Sequence, residues 1–168
     1  MKNPAADPPI IAISFIIFDA FKKDIREGGV SYTDNGGHTW FEEYIVSPPT
    51  HILNGFIWAS WGVYDYFLAT GEQIAQELFN QAVQTLTTNL TRYDVGFWSL
   101  YEQSVIWLKM LASPFYHHLH IVQLEILHWL TGENIFRQYA KRWEGYRRNR
   151  LKRSIALLYK AIFKLCYY

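Results

Sequence analysis

The chain has 168 residues, of which half are apolar and 18% aromatic, and its formal net charge is +1. This length fits a single domain over residues 1–168, because a chain of about 150 residues buries roughly 70% of its unfolded surface. No apolar run approaches the roughly 20 residues that span a bilayer, so we predict no transmembrane helix. The single cysteine, Cys166, excludes an internal disulfide framework.

Charge is distributed unevenly along the chain. Residues 1–136 carry 6 basic and 14 acidic side chains, a net charge of −8, whereas residues 137–168 carry 10 basic and 1 acidic, a net charge of +9. A basic segment of this kind suits an anionic polymer, an acidic membrane face or nucleic acid.

The first part of the chain is apolar and then rich in turn residues. The stretch Ile10–Phe18 lacks a small-residue cleavage site, so we predict a core segment rather than a signal peptide. Residues 27–51 contain Gly28-Gly29, Gly36-Gly37 and Pro48-Pro49, which predict turns and extended chain. Loops of this length are often functional.

From Ile52 onward, apolar residues recur every three or four positions, which is typical of helices. Two junctions, Ala69–Glu72 and Leu130–Glu133, each place a glycine where a helix would end in a left-handed residue. We therefore predict an all-α fold of antiparallel helix hairpins forming part of an (α/α) toroid, preceded by an irregular or extended N-terminal segment. A toroid needs more hairpins, so we expect a fragment of a longer protein. The predicted helices span about residues 52–70, 72–90, 99–112, 115–131 and 133–163.

The end of the last predicted helix is basic and amphipathic. The basic run Arg147–Arg153 precedes Ile155, Leu158, Ile162 and Leu165, which recur at helical spacing. The simplest expectation for this terminal helix, residues 147–168, is that one face packs on the domain and the other is solvated. A peripheral membrane contact is the alternative.

Two clusters before residue 102 contain residue types suited to proton transfer. In Trp40–Tyr44, the adjacent Glu42 and Glu43 point in different directions on any backbone, so only one is expected to share a site with Tyr44. In the second cluster, a turn at Gly96 leads into the predicted third helix. Tyr101 is then expected in the opening turn of that helix.

A third cluster lies on the predicted helix 115–131. Tyr116, His120 and Gln123 share a polar stripe at helical spacing, which predicts a polar face beside a core face. His117 and His120 have a spacing that a metal could use, but no cysteine or well-placed aspartate accompanies them, so we favour hydrogen bonding in a sugar site and predict no metal. The core face would consist of Phe115, Leu119, Val122, Ile126 and Trp129.

Five blocks in series resemble the C-terminal domain of D-glucuronyl C5-epimerases over about residues 30–146. Their order and approximate spacing agree with that family. The blocks are Trp40–Tyr44, Leu53–Phe56 with Gly62–Asp65, Tyr93-Asp94 with Gly96 and Tyr101, Tyr116-His117 with His120, Gln123 and Leu124, and Lys141–Trp143 with Tyr146.

The resemblance implies an (α/α) toroid enzyme, an isomerase that epimerises D-glucuronate to L-iduronate at C5 within heparosan-type chains. It implies catalytic roles for Glu43, Tyr44, Tyr101 and Tyr116. A neutral tyrosine is a usable acid and an ionised one a strong base, so such groups could serve both faces of the sugar without a cofactor. The expected substrate-binding residues are Trp40, Asn54, His120, Gln123 and Arg142.

The chain also departs from the family pattern. Animal members carry an arginine three residues after the tyrosine matched by Tyr101, where this chain has Ser104, and Arg-Trp-Asp where it has Ser113–Phe115. These departures indicate a divergent, bacterial branch. We expect Arg92, Arg142 or His120 to bind the substrate carboxylate instead.

Two other functions fit the same residues. A polysaccharide lyase or hydrolase on the same toroid would use similar groups, and a lyase begins with the same C5 proton abstraction. A non-catalytic glycan-binding domain is the second alternative. The expected partner is an anionic polysaccharide containing glucuronate, with a homodimer as a further option. No nucleic-acid partner is expected, since no recognised motif accompanies the basic segment.

Overall fold

A computed structural model describes residues 8–167, with side chains from Phe15 onward. Within this range the chain is mainly helical, which confirms the predicted all-α class, and none of these helices is long and apolar enough to cross a membrane. The toroid itself stays a prediction. The elements are α1 (Pro8–Phe21), β1 (Ser31–Thr33), β2 (Thr39–Phe41), α2 (Leu53–Thr70), α3 (Gln73–Asn89), α4 (Pro114–Thr131), α5 (Asn134–Arg148) and α6 (Arg150–Tyr167), with short 3-10 turns at Ile25–Glu27 and Leu90–Tyr93.

Helices α2 and α3 form one hairpin, and α4 and α5 form a second. Each hairpin turns at a glycine with positive φ, 73° at Gly71 and 78° at Gly132, as the two similar junctions predict. Their amides donate to the carbonyls of Phe67 at 2.8 Å and His128 at 2.9 Å. A side chain would be strained in this left-handed conformation, so glycine ends each helix sharply. Helices α2 and α4 contact each other, which places the hairpins side by side.

The core lies between the hairpins and is rich in aromatic rings. On α1, Phe18 joins it by stacking on Tyr66 at 4.0 Å between ring centroids. Phe15, Ile16 and Ile17 are exposed, so only Phe18 is buried among the described side chains of the predicted core segment. The side chains of residues 10–14 lie outside the described part. The largest fully buried side chains include Trp40, Trp98, Trp143, Tyr93, Phe41, Phe56 and Phe136.

Residues 22–52 consist of turns and a two-stranded antiparallel ribbon, which confirms the prediction for this region. The ribbon pairs Tyr32 with Trp40. Its turn is closed by the carboxylate of Asp34, which accepts hydrogen bonds from the amides of Gly36 at 2.8 Å and His38 at 3.0 Å. An aspartate that bonds backbone amides within its own turn is a common way to fix such a loop.

The predicted helix at 99–112 is wrong. Residues 94–113 fold back on themselves, and the amide of Tyr101 donates to the carbonyl of Met110 at 2.8 Å while that of Ala112 donates to Ser99 at 2.9 Å. The backbone is therefore satisfied across the loop rather than along a helix, a choice that a short apolar run does not reveal. Tyr101 consequently lies in a loop.

The predicted helix at 133–163 is two helices, α5 and α6. The chain breaks at Asn149, whose φ of −77° and ψ of 111° are extended rather than helical. The side-chain oxygen of Asn149 accepts a hydrogen bond from the amide of Lys152 at 3.1 Å, so it caps the start of α6. The terminal helix is thus a separate element with its own direction.

Candidate active site

The loop between β2 and α2 is fixed by the buried carboxylate of Glu42. One oxygen of Glu42 hydrogen-bonds with Nδ1 of His51, and the other accepts the His51 amide at 3.1 Å. The hydroxyl of Tyr93 donates to the carbonyl of His51 at 2.6 Å, and the indole of Trp40 stacks on the imidazole at 4.3 Å. Of the two adjacent glutamates, Glu42 is therefore buried and holds the loop in place, whereas Glu43 lies at the surface.

The carboxylate of Glu43 is exposed and lies against the backbone of Gly55, in the first turn of α2. A Cβ atom at Gly55 would overlap with this carboxylate. The absence of a side chain therefore permits the close approach. The preceding residue, Asn54, is buried, and its carbonyl accepts a hydrogen bond from Nε2 of Gln123 at 3.1 Å.

The four predicted catalytic residues lie near one another, although they come from three segments. The rings of Tyr101 and Tyr116 meet edge to face with centroids 4.9 Å apart. Burial raises the pKa of Tyr101, and the nearby Glu43 carboxylate, Tyr116 and Tyr44 raise it further. Tyr101 therefore keeps its proton at neutral pH. The cluster is open to solvent at Tyr44, which is 56% exposed.

Helix α4 has the opposite orientation to the one predicted. His117, His120 and Gln123 are at most 1% exposed, so the polar stripe faces the interior. This arrangement is possible because these polar groups find partners inside, which removes much of the cost of burying them. The predicted core face is exposed instead at Phe115, Val122, Ile126 and Trp129, with Leu119 half-buried.

The buried histidines converge on the hydroxyl of Ser99. That oxygen lies 2.7 Å from Nδ1 of His117 and 3.1 Å from Nδ1 of His120, while Nε2 of His117 lies 3.0 Å from the carbonyl of Trp143. Because a carbonyl only accepts, His117 donates from Nε2 and accepts the Ser99 proton at Nδ1, and His120 then donates to Ser99. Burial lowers the pKa of His117 to about 4 and that of His120 to about 3, so both are neutral.

The hydrogen bond between Gln123 and Asn54 links α4, which carries Tyr116, to α2, which carries Gly55. In the part of the chain that the structure describes, no group of three or more His, Cys, Asp or Glu side chains could hold a metal ion. Oδ1 of Asn54, Oε1 of Gln123 and Nε2 of His120 have no hydrogen-bond partner among the described residues. Asn54, His120 and Gln123 therefore support the site from the interior rather than from its open face.

The remaining predicted substrate-binding residues have structural partners of their own. Trp40 has no exposed surface, and its indole donates to Asp34 at 3.1 Å. Arg142 pairs with Asp94 at 3.3 Å and lies over the Tyr139 ring. These contacts join elements of the fold rather than line the tyrosine cluster. Of the other suggested carboxylate ligands, Arg92 donates to Asn89 at 2.9 Å.

The sequence reasoning missed one cation, Lys109. Its ammonium donates to the carbonyl of Ser104 at 2.6 Å, in the same folded-back loop as Tyr101. The neighbouring Met110 accepts the Tyr101 amide, so Lys109 and Tyr101 are held on adjoining stretches of chain. The sequence does contain one signal that could have drawn attention to Lys109, because it is the only lysine or arginine between Arg92 and Arg137. The wrongly predicted helix obscured its position.

Comparison with known proteins finds one family that matches the chain and two proteins that are similar to it. The family described as D-glucuronyl C5-epimerase C-terminus matches residues 6–145. The uncharacterized protein MJ1128 of Methanocaldococcus jannaschii is 33% identical over 131 residues, which cover 76% of this chain and 41% of that protein. The D-glucuronyl C5-epimerase of Caenorhabditis elegans is 29% identical over 141 residues, which cover 75% of this chain and 23% of that enzyme. The chain thus spans less than half the length of either relative.

Proposed function

The chain belongs to the D-glucuronyl C5-epimerase C-terminal family, as its sequence blocks predict, and from this premise we propose that it carries the catalytic groups of a uronate C5-epimerase. The proposed substrate is a heparosan-like acidic polysaccharide in which D-glucuronate becomes L-iduronate. The observation that carries the proposal is the proximity of Glu43, Tyr44, Tyr101 and Tyr116.

The chemistry requires an acid and a base on opposite faces of the sugar ring. The C5–H bond breaks, the proton passes to a base, and the electron pair is delocalised into the adjacent carboxyl group. A proton then returns to C5 from the other face. Tyr101 is the proposed donor, because its phenol is protonated at neutral pH and lies close to Glu43, Tyr44 and Tyr116. Tyr44 and Glu43 together are the proposed base: the phenol of Tyr44 takes the proton from C5 while its own proton passes to the Glu43 carboxylate. Tyr116 positions Tyr101 or serves in its place.

A second negative charge develops on the substrate carboxyl group during this reaction, so a cation there would stabilise the transition state. We assign this role to Lys109. It lies in the Tyr101 loop, whereas Arg142 and Arg92 are bonded to other parts of the fold. Replacing Lys109 by Met keeps most of the apolar stem and removes the charge. The proposal expects this variant to lose C5 exchange, with a loss of stability no larger than the roughly 1 kcal/mol expected for the missing hydrogen bond to Ser104.

The decisive experiment is hydrogen exchange at C5 in heavy water with glucuronate-containing polymers. An epimerase incorporates deuterium at C5 and leaves the polymer intact, with L-iduronate in the product. A lyase would instead release unsaturated, ultraviolet-absorbing ends, and a hydrolase would shorten the chain without them. Binding of the polymer with no exchange at C5 would indicate a non-catalytic glycan-binding domain.

A further inference from the structure

Helix α6 presents a row of apolar side chains to solvent. Its five members recur at alternating intervals of four and three residues, so they lie along one side of the helix. Each is between 44% and 86% exposed. An apolar surface of this extent on a single helix calls for a partner, because isolated exposed residues are common but continuous rows are not. The row, termed the α6 stripe, consists of Leu151, Ile155, Leu158, Ile162 and Leu165.

The α6 stripe is fixed outward because the other side of the helix is anchored. Ala156 and Phe163 are buried against the domain. The ammonium of Lys152 donates to the carbonyl of Gly96 at 3.0 Å, and that of Lys160 donates to the carbonyl of Leu111 at 3.0 Å. Rotation that buried the stripe would break these contacts, so the stripe stays available to a partner.

The charge of α6 selects the kind of partner. The helix contains five basic residues and no acidic one. Arg150, Arg153 and Lys164 are exposed, and none of them forms an ion pair among the described residues. At 3.6 residues per turn these three cations follow one flank of the helix, between its buried side and the α6 stripe. The helix also lies beyond the residues that the family matches, so it is a feature outside the matched domain.

We propose that α6 docks on the surface of an anionic lipid membrane, lying parallel to it with the α6 stripe at the boundary between headgroups and acyl chains. A helix that combines an apolar row with a basic flank has the composition of interfacial helices. The exposed cations match the negative surface charge of such a membrane.

Two other partners fit less well. A second copy of α6 would cover the stripe, but it would also bring two helices of the same charge together. An acidic polysaccharide would satisfy the cations and leave the leucines and isoleucines in water. The membrane satisfies both features at once. Docking would also hold the Tyr101 loop at the membrane surface, since Lys160 bonds to Leu111 in that loop.

The test is co-sedimentation of the full chain with vesicles of phosphatidylcholine alone and of phosphatidylcholine mixed equally with phosphatidylglycerol. We expect binding to the anionic vesicles only, and weaker binding as salt is raised. The variant Leu158→Gln should reduce affinity by about tenfold, since one buried leucine is removed. Its matched control is Leu68→Gln on α2, because Leu68 and Leu158 are both 64% exposed.

A second variant tests the charges. Replacing Arg150, Arg153 and Lys164 together by Gln should weaken binding by about fivefold for each charge. Circular dichroism of every variant checks that the helices remain folded. The proposal is overturned if the chain binds neither vesicle, if it binds both equally, or if Leu68→Gln weakens binding as much as Leu158→Gln. A dimer in solution that Leu158→Gln dissociates, without vesicle binding, would assign the stripe to a second copy instead.

Discussion

The two helical hairpins and the two irregular segments, residues 42–52 and 94–113, are held in place by different forces. The hairpins bury apolar and aromatic side chains against each other, which is a nondirectional contribution. The irregular segments depend on directed hydrogen bonds, from the His51 amide to the carboxylate of Glu42 and from the Trp98 indole to the carbonyl of Ala112 at 2.9 Å. Glu43, Tyr44 and Tyr101 all lie on the irregular segments. Changes there should therefore separate activity from helix packing.

The largest expected effect is on catalysis, at Tyr101. Replacing Tyr101 by Phe removes the proposed proton donor and should slow the conversion of D-glucuronate to L-iduronate by about 10²- to 10⁴-fold. The Tm should stay nearly constant, because the aromatic ring remains. A suitable control is Tyr64→Phe, which alters a half-buried ring on α2 within the hairpin and should leave exchange unchanged. Formation of L-iduronate at the parent rate in the Tyr101→Phe variant would remove Tyr101 from the mechanism.

The adjacent glutamates should differ in their effect on stability. Glu42→Ala leaves buried donors of His51 without an acceptor and should lower the free energy of unfolding by ~3 kcal/mol. Glu43→Ala changes an exposed side chain and should cost less than about 0.5 kcal/mol, while still reducing C5 exchange. Urea denaturation measures both. Equal destabilisation by the two substitutions would contradict the division between a structural and a surface carboxylate.

The buried histidines of α4 should make stability depend on pH. The pKa of His117 is lowered to about 4 and that of His120 to about 3, mainly by burial, from an ordinary value of 6.5. Above pH 6.5 both histidines are neutral in the folded and unfolded chains. Below pH 6.5 only the unfolded chain takes up the protons, so the free energy of unfolding falls by as much as about 1.4 kcal/mol per pH unit for each histidine. This loss continues down to about pH 4 for His117 and about pH 3 for His120.

Substitution of one histidine checks this origin. The variant His120→Gln should show a shallower loss of stability between pH 6.5 and pH 4, measured by urea denaturation at several pH values. The exposed neighbour His118 provides the control, and His118→Gln should retain the slope of the parent chain. An identical slope in all three proteins would mean that the loss arises from other groups.

The smallest expected effect distinguishes two glycines of the same helix. A Cβ atom at Gly62 would meet nothing within 4 Å, so Gly62→Ala should stabilise the chain by roughly 0.5–1 kcal/mol through its higher helix propensity. At Gly55 the Cβ atom would displace the Glu43 carboxylate. The Gly55→Ala variant should therefore lose most of that gain and reduce C5 exchange. Thermal unfolding and exchange assays compare the two, and similar behaviour at both positions would argue against the packing of Glu43 on Gly55.

Much of the fold could be predicted from local signals. The glycines at positions 71 and 132 end helices because of their conformational freedom, and the turn residues of 27–51 specify extended chain. Local signals could not reveal that residues 99–112 form a loop instead of the predicted helix. The apolar residues of this segment have the spacing of a helix. The backbone hydrogen bonds that Ser99 and Tyr101 form across the loop replace those of a helix, and the fold determines these partners.

The sequence by itself determined the family, the helical class and the identities of the proposed catalytic tyrosines, because motif order, periodicity and turn residues are local properties of the chain. Only the tertiary structure decided which glutamate is buried, which face of α4 points inward and where Lys109 lies. Those outcomes depend on partners distant in sequence. His117 is buried because Ser99 and Trp143 form hydrogen bonds with it, and Gln123 is buried beside the carbonyl of Asn54. The spacing of polar residues along a helix does not show that such partners exist.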